Sequence, residues 1–224
     1  MSANRELAAR FASQRFGMIQ SQLRARGIAD ERLLAAFAAI PREDFVPGDL
    51  AADAYSDRPL PIGHGQTISQ PFVVALMIAA ARVEPTDSAL EVGAGSGYAA
   101  AILGRIARSV TAIERVPQLA WEARERLACL GFDNVTIVEG DGTLGWPSGA
   151  PFDAIFAAAS GPDVPQNLLD QLAPGGRLVM PLGAPGGLQE LVRVRKSCDG
   201  SFDRDSLGAV RFVPLIGAEG WSES

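Results

Sequence analysis

Residues 89–98, Ala-Leu-Glu-Val-Gly-Ala-Gly-Ser-Gly-Tyr, decide the fold. An apolar strand carries one acid, Glu91, near its end, breaks into glycines at 93, 95 and 97, and runs into an alanine-rich stretch. Glycine is needed where the backbone turns through positive φ or lets a ligand approach the main chain closely. A helix expected over 97–107 then aims free N–H groups and a positive dipole end at that ligand. A dinucleotide fingerprint would place a third glycine or alanine three positions after the second, and Tyr98 stands there instead.

The pattern around this motif alternates. Strands are expected at 88–93, 109–114, 134–139, 152–157 and 176–182, with helices at 97–107, 117–130 and 164–172. Such alternation predicts a parallel, doubly wound α/β sheet with helices on both faces. The tail differs, because β-prone runs at 191–196 and 209–215 flank the turn signal Cys198-Asp199-Gly200-Ser201. An antiparallel pair at one sheet edge is expected there. Ahead of the motif, residues 5–24 read as an amphipathic helix, and a second helix is capped by Asp30 and stopped by Pro41. Residues 41–71 form a long irregular segment, and 72–82 a buried helix.

Composition narrows the function. The chain has 224 residues, 47% of them hydrophobic, and a net charge of −6 without any Lys/Arg-rich run. A single domain is expected, and nucleic acid is disfavoured as a partner because a polyanion calls for a basic face. Cys129 and Cys198 lie far apart, and His64 is the only histidine, so no metal site is expected. A Ser-His-Asp triad is disfavoured because no Gly-x-Ser-x-Gly elbow surrounds Ser69. The longest apolar run, 72–81, is too short to cross a bilayer, and the N-terminus does not read as a signal peptide. The expectation is a cytoplasmic monomer with no membrane partner.

The acid-preceded Gly-x-Gly-x-Gly motif resembles the first motif of S-adenosylmethionine-dependent methyltransferases. In a doubly wound sheet the ligand lies at the carboxyl ends of the strands. Two further features belong at such ends. Glu114 closes the second strand, where an acid accepts hydrogen bonds from both ribose hydroxyls. Asp141, between Gly140 and Gly142, can bond an adenine amino group. Together the three imply a Rossmann-like class I methyltransferase sheet with an antiparallel C-terminal edge pair and N-terminal helices.

The segment from Gly63 to Pro71, Gly-His-Gly-Gln-Thr-Ile-Ser-Gln-Pro, resembles the signature of the protein-L-isoaspartate (D-aspartate) O-methyltransferase family, bacterial type. Matches extend through Gln22–Ile28, Val46-Pro47, Gly145-Trp146-Pro147, Ala150–Ile155, Leu172–Leu178 and Val210–Leu215, covering about residues 15–216. The resemblance implies one methyltransferase domain over 1–224: N-terminal helices and active-site loop (1–71), cofactor core (72–187) and C-terminal β segment (188–224). It places the active-site serine at Ser69. Cofactor contacts fall on Thr67, Glu91, Gly93, Ala94, Gly95, Gly97, Glu114, Asp141 and Gly142. The implied reaction carries methyl from S-adenosylmethionine to the α-carboxylate of L-isoaspartyl residues in damaged proteins, whose ester then collapses to a succinimide. The alternative is methylation of ordinary aspartate in a dedicated peptide partner. A carboxylate acceptor is ionised at pH 7 and needs no base, so the absence of a convincing one fits. The chain departs from the family pattern at Ala99, Ser160-Gly161 and Ile216.

Overall fold

A computed structural model of the chain describes residues 2–223. Seven strands form one sheet: β3 (Ser88–Val92), β4 (Ser109–Glu114), β5 (Val135–Glu139), β6 (Phe152–Ala157), β7 (Leu172–Leu182), β8 (Gln189–Lys196) and β9 (Phe202–Val210). Their order is β5-β4-β3-β6-β7-β8-β9. Strands β5 through β7 are parallel neighbours, whereas β8 is antiparallel to both β7 and β9. The chain therefore winds outward from β3 through β4 to β5, then returns to β6 on the other side. That reversal opens a crevice beyond the carboxyl ends of β3 and β6, where doubly wound sheets bind ligands.

The expected edge pair is present, with its second strand displaced. It occupies Phe202–Val210 rather than 209–215. As the outermost strand β9 exposes both faces, so Asp203, Arg204 and Asp205 sit in it without a burial cost and give no apolar alternation. The more apolar residues after 210 leave the sheet and run back toward the strand ends, where Phe212 exchanges hydrogen bonds with the Gln189 side chain of β8 and Pro214 bridges Ser160.

Helices α4 (Tyr98–Gly104), α5 (Pro117–Cys129) and α6 (Gln166–Asp170) follow β3, β4 and the β6 loop. Helix α4 is shorter than the sequence suggests. Upstream lie α1 (Ser2–Met18), a wide turn over Ile19–Leu23, and α2 (Glu31–Ala39). Asp30 caps α2 by accepting from the Arg32 and Leu33 backbone N–H groups at 2.9 and 3.3 Å. Phe37 of α2 and Phe45 meet the Tyr98 ring edge-on, at centroid distances of 6.1 and 5.4 Å, which packs the N-terminal helices against the glycine loop. Residues 41–71 are more ordered than their composition suggests: two short 3₁₀ turns lead into a hairpin, β1 (Leu60–Gly63) and β2 (Gln66–Ile68). Gln70 and Pro71 then start α3 (Pro71–Ala81), the expected buried helix.

Candidate active site

The three strand ends converge as the spacing implies. The loop after β3 takes positive φ at all three glycines, +88°, +54° and +85° at 93, 95 and 97. Its N–H groups at Gly93 and Ala94 donate to the Ile113 carbonyl, at 2.8 and 3.0 Å, binding the loop to β4. Glu114, buried at the end of β4, fastens it further. One carboxylate oxygen accepts from the Gly95 N–H at 2.8 Å and the other from Val116 N–H at 2.9 Å. Each carboxylate oxygen has about two acceptor sites, so one on each remains for a ligand.

Beside these residues opens a cleft. Its floor is the glycine loop with Glu91 and Glu114, and its apolar walls come from Val74, Met77, Ile78 and Phe156. One rim is β2 with Thr67 and Ser69; the opposite rim is the returning segment Val213–Ile216. Of the residues singled out in the sequence, Ser69, Thr67, Glu91, Gly93, Ala94, Gly95, Glu114 and Gly142 line this cleft. Gly97 stands behind the loop, where a Cβ would lie 3.3 Å from Ala123 Cβ and Leu127 Cδ1 of α5. Its role is to let α4 and α5 approach. Gly142 is required for a similar reason, since a Cβ there would overlap Val92 Cγ1 and push the turn after β5 away from the end of β3.

Asp141 lies in an adjoining depression with Arg115, Ile216 and Trp221. One of its oxygens accepts from Thr143 N–H and Oγ1 at 2.9 and 2.7 Å, and the other from Ala218 N–H at 2.7 Å. Partial burial pushes its pKa up, but the bonds from Ala218 and Thr143 outweigh this and hold it below the usual carboxylate range. The residue expected at the adenine edge thus also clamps the C-terminal segment across the site.

Glu91 is the electrostatic outlier. It is buried in β3, and its Oε2 has no hydrogen-bond partner. Burial, reinforced by the negative charge of Glu114, pushes its pKa up to about 8. A buried carboxyl that faces a cleft without a partner either stays neutral or awaits a cation.

Ser69 is half-buried at the cleft rim, directly before Gln70, the cap residue of α3. Gln70, not Ser69, is the cap, and it makes no side-chain bond. His64 is exposed in the β1–β2 turn and does not line the cleft. Among the departures, Ala99 and Ile216 line the cleft, while Ser160 is buried and structural. The Ser160 Oγ donates to the Gly183 carbonyl at 2.7 Å, and its own carbonyl accepts from Leu215 N–H and Trp221 Nε1–H, both at 2.9 Å. The apolar walls from α3 and the Arg42 side chain beneath Ser69 were not expected. An unbroken apolar helix gave a signal for the first; a lone arginine among 20 basic residues gave none for the second.

A model of the protein-L-isoaspartate (D-aspartate) O-methyltransferase family matches residues 14–220. The chain belongs to this family. A protein-L-isoaspartate O-methyltransferase of Rhodopseudomonas palustris strain HaA2 is 54% identical over 215 residues, covering 96% of this chain and 88% of the relative. One from Pelobacter propionicus is 53% identical, covering 91% of each chain. Solved isoaspartate methyltransferases share the architecture. One superposes with a TM-score of 0.83 at 29% identity, over 92% of this chain and 67% of its own. Another, from Plasmodium falciparum in complex with S-adenosyl-L-homocysteine, gives 0.76 at 26% identity, over 89% of this chain and 97% of its own. The sheet is of the Rossmann-like class I methyltransferase type, parallel except for its C-terminal strands.

Proposed function

We propose that this chain methylates the α-carboxylate of L-isoaspartyl residues, with Ser69 orienting the acceptor and the β3–β5 strand ends holding S-adenosylmethionine. The observation that carries the reading is one cleft with two chemically distinct ends: buried carboxyls against a glycine loop at one, and a free hydroxyl on a solvent-open rim at the other.

The donor end fits the cofactor. S-adenosylmethionine carries an ammonium and a sulfonium, and the unpartnered Oε2 of Glu91 is an acceptor waiting inside the cleft for positive charge. Glu114 keeps acceptor capacity for hydroxyl groups. The apolar walls suit a flat ring. When bound, the cofactor supplies an electrophilic methyl group on a positively charged sulfur. The protein's part is then positional. Ser69 donates a hydrogen bond to one carboxylate oxygen of the acceptor and so holds the other toward the methyl. Val74, Met77, Ile78 and Phe156 exclude water from the nucleophile. No base is required, because the carboxylate arrives ionised.

Cys129 and Cys198 are both free and exposed, which supports a reducing compartment such as the cytoplasm. No helix among the described residues is long and apolar enough to cross a membrane.

The test uses labelled S-adenosylmethionine and matched peptides containing isoaspartate, aspartate or D-aspartate, with base-labile methyl ester as the readout. Label should enter the isoaspartyl peptide. Label in the aspartyl peptide alone, or in none, overturns the reading. Ser69→Ala should lower kcat about 10²-fold, in the range of losing one preorganised donor, with the affinity for S-adenosyl-L-homocysteine retained.

A further inference from the structure

Arg42 is the largest fully buried side chain in the molecule among the described residues. It makes no ion pair there, an arrangement that is expensive for a guanidinium. Burial lowers its pKa from the usual arginine value, and no carboxylate acts on it to reverse this. Apolar side chains of similar volume are generally as stabilising as buried charges, so packing alone does not call for an arginine here.

Its contacts point to what does. Nη2 donates to the carbonyl of Ser69 at 2.8 Å, and Nε to the carbonyl of Ala54 at 2.7 Å. The guanidinium carbon lies 4.7 Å from the centroid of the Tyr98 ring. Tyr98 directly follows the glycine loop and lines the cleft. The Tyr98 ring meets Phe45, over which Arg126 lies at 5.7 Å, and Arg126 Nη1 donates to the Ser96 carbonyl at 2.8 Å. A continuous stack of Arg126, Phe45, Tyr98 and Arg42 thus runs from the main chain of the donor loop to the main chain of Ser69.

We propose that Arg42 is a positioning residue for methyl transfer: it fixes the Ser69 main chain relative to the glycine loop, so that the hydroxyl and the methyl donor are held in register. This deepens the assignment of Ser69 and rests on it. The C-terminal side of Ser69 is already set, because Pro71 at the first turn of α3 restricts Gln70 to an extended conformation. Arg42 supplies the constraint at Ser69 itself. An error of about 1 Å in such a constraint is enough to cost on the order of 10²-fold in rate without loss of binding.

The test is a double-mutant cycle with Ser69→Ala, using Arg42→Lys as the primary variant because it keeps charge and most of the volume. Arg42→Gln, which keeps a donor toward Ser69, is the second variant should the lysine variant fail to fold. In the native background kcat should fall about 10-fold while peptide KM and calorimetric affinity for S-adenosyl-L-homocysteine stay within about 2-fold. Amides at 66–70 should exchange faster, with those of β3, β4 and β6 unchanged. In the Ser69→Ala background the same substitution should cost less than about 2-fold, since the two act as one unit. An undiminished 10-fold loss in that background overturns the proposal and leaves the Ser69 assignment standing. Unchanged kcat for both Arg42 variants does the same. Full activity of Ser69→Ala alone overturns both together.

Discussion

Glu91 makes the stability of the ligand-free protein fall with pH in a way that a single substitution should abolish. Its carboxyl is raised from 4.5 to about 8 by burial and by Glu114. The native state therefore holds a proton that the unfolded chain has already released across that window, and unfolding gains ground as pH rises. At about 1.36 kcal/mol per pKa unit, the loss between pH 6 and pH 9 is about 3 kcal/mol, levelling off once Glu91 ionises in the native state. Glu91→Gln is neutral throughout and nearly isosteric. Urea denaturation of both proteins at half-unit pH steps isolates the effect, because every other titrating group is common to the pair. The free-energy difference should be flat below pH 4 and swing toward the variant by about 4.5 kcal/mol by pH 9, about 3 kcal/mol of it above pH 6. Saturating S-adenosyl-L-homocysteine, whose ammonium pairs with the ionised carboxylate in the proposed site, should shrink that swing. Parallel profiles for the two proteins would refute the reasoning, since Glu91 would then be ionised in the empty cleft.

Three other outcomes follow from the geometry. Asp141→Ala removes the acceptors for Thr143 and Ala218, so amides over 216–221 should exchange faster and calorimetric affinity for S-adenosyl-L-homocysteine should fall about 10-fold. The native carboxylate is held below its ordinary 3.8, so its contribution is complete above that pH and lost as the pH falls through its lowered pKa; the variant should lack this acid limb. Gly142→Ala forces a Cβ into Val92 and should cost about 2 kcal/mol in urea denaturation, along with cofactor affinity. Arg177→Met breaks a half-buried hub in which Arg177 donates to the carbonyls of Ala81, Arg82 and Asp153 and pairs with Asp87 at 2.9 Å. It should lower stability by about 3 kcal/mol with methylation otherwise intact at low temperature.

The parallel half of the sheet was legible because its inner strands β3, β4 and β6 are buried and read as apolar runs, and β3, β4 and β5 are each closed by a glycine or an acid. The alignment of Gly93–Gly97, Glu114 and Asp141 followed from that alone. What stayed hidden was decided by tertiary surroundings. Strand β9 lies at an edge, where pairing rather than burial holds it and its charges mask the pattern. The β1–β2 hairpin turns on His64 and Gly65 at positive φ, inside a segment whose proline and glycine content reads as loop. Asp141 was expected to face a ligand, yet its bond to Ala218 depends on a segment 77 positions away returning to the sheet. Arg42 is invisible to any periodicity because its partners are carbonyls, which every residue possesses.

The rims of the cleft are separated by most of the polypeptide: Gln66–Ser69 on one side, Val213–Ile216 on the other. Between them lies the whole sheet, and the second rim is fastened by Ser160, Asp141 and Thr143 only after the chain has doubled back past β9. The second rim can therefore form only once the sheet it folds back onto is in place, so the cleft is the last feature of the fold to be completed. Damage confined to Val213–Trp221 would leave every strand of the sheet paired and still open one side of the cleft.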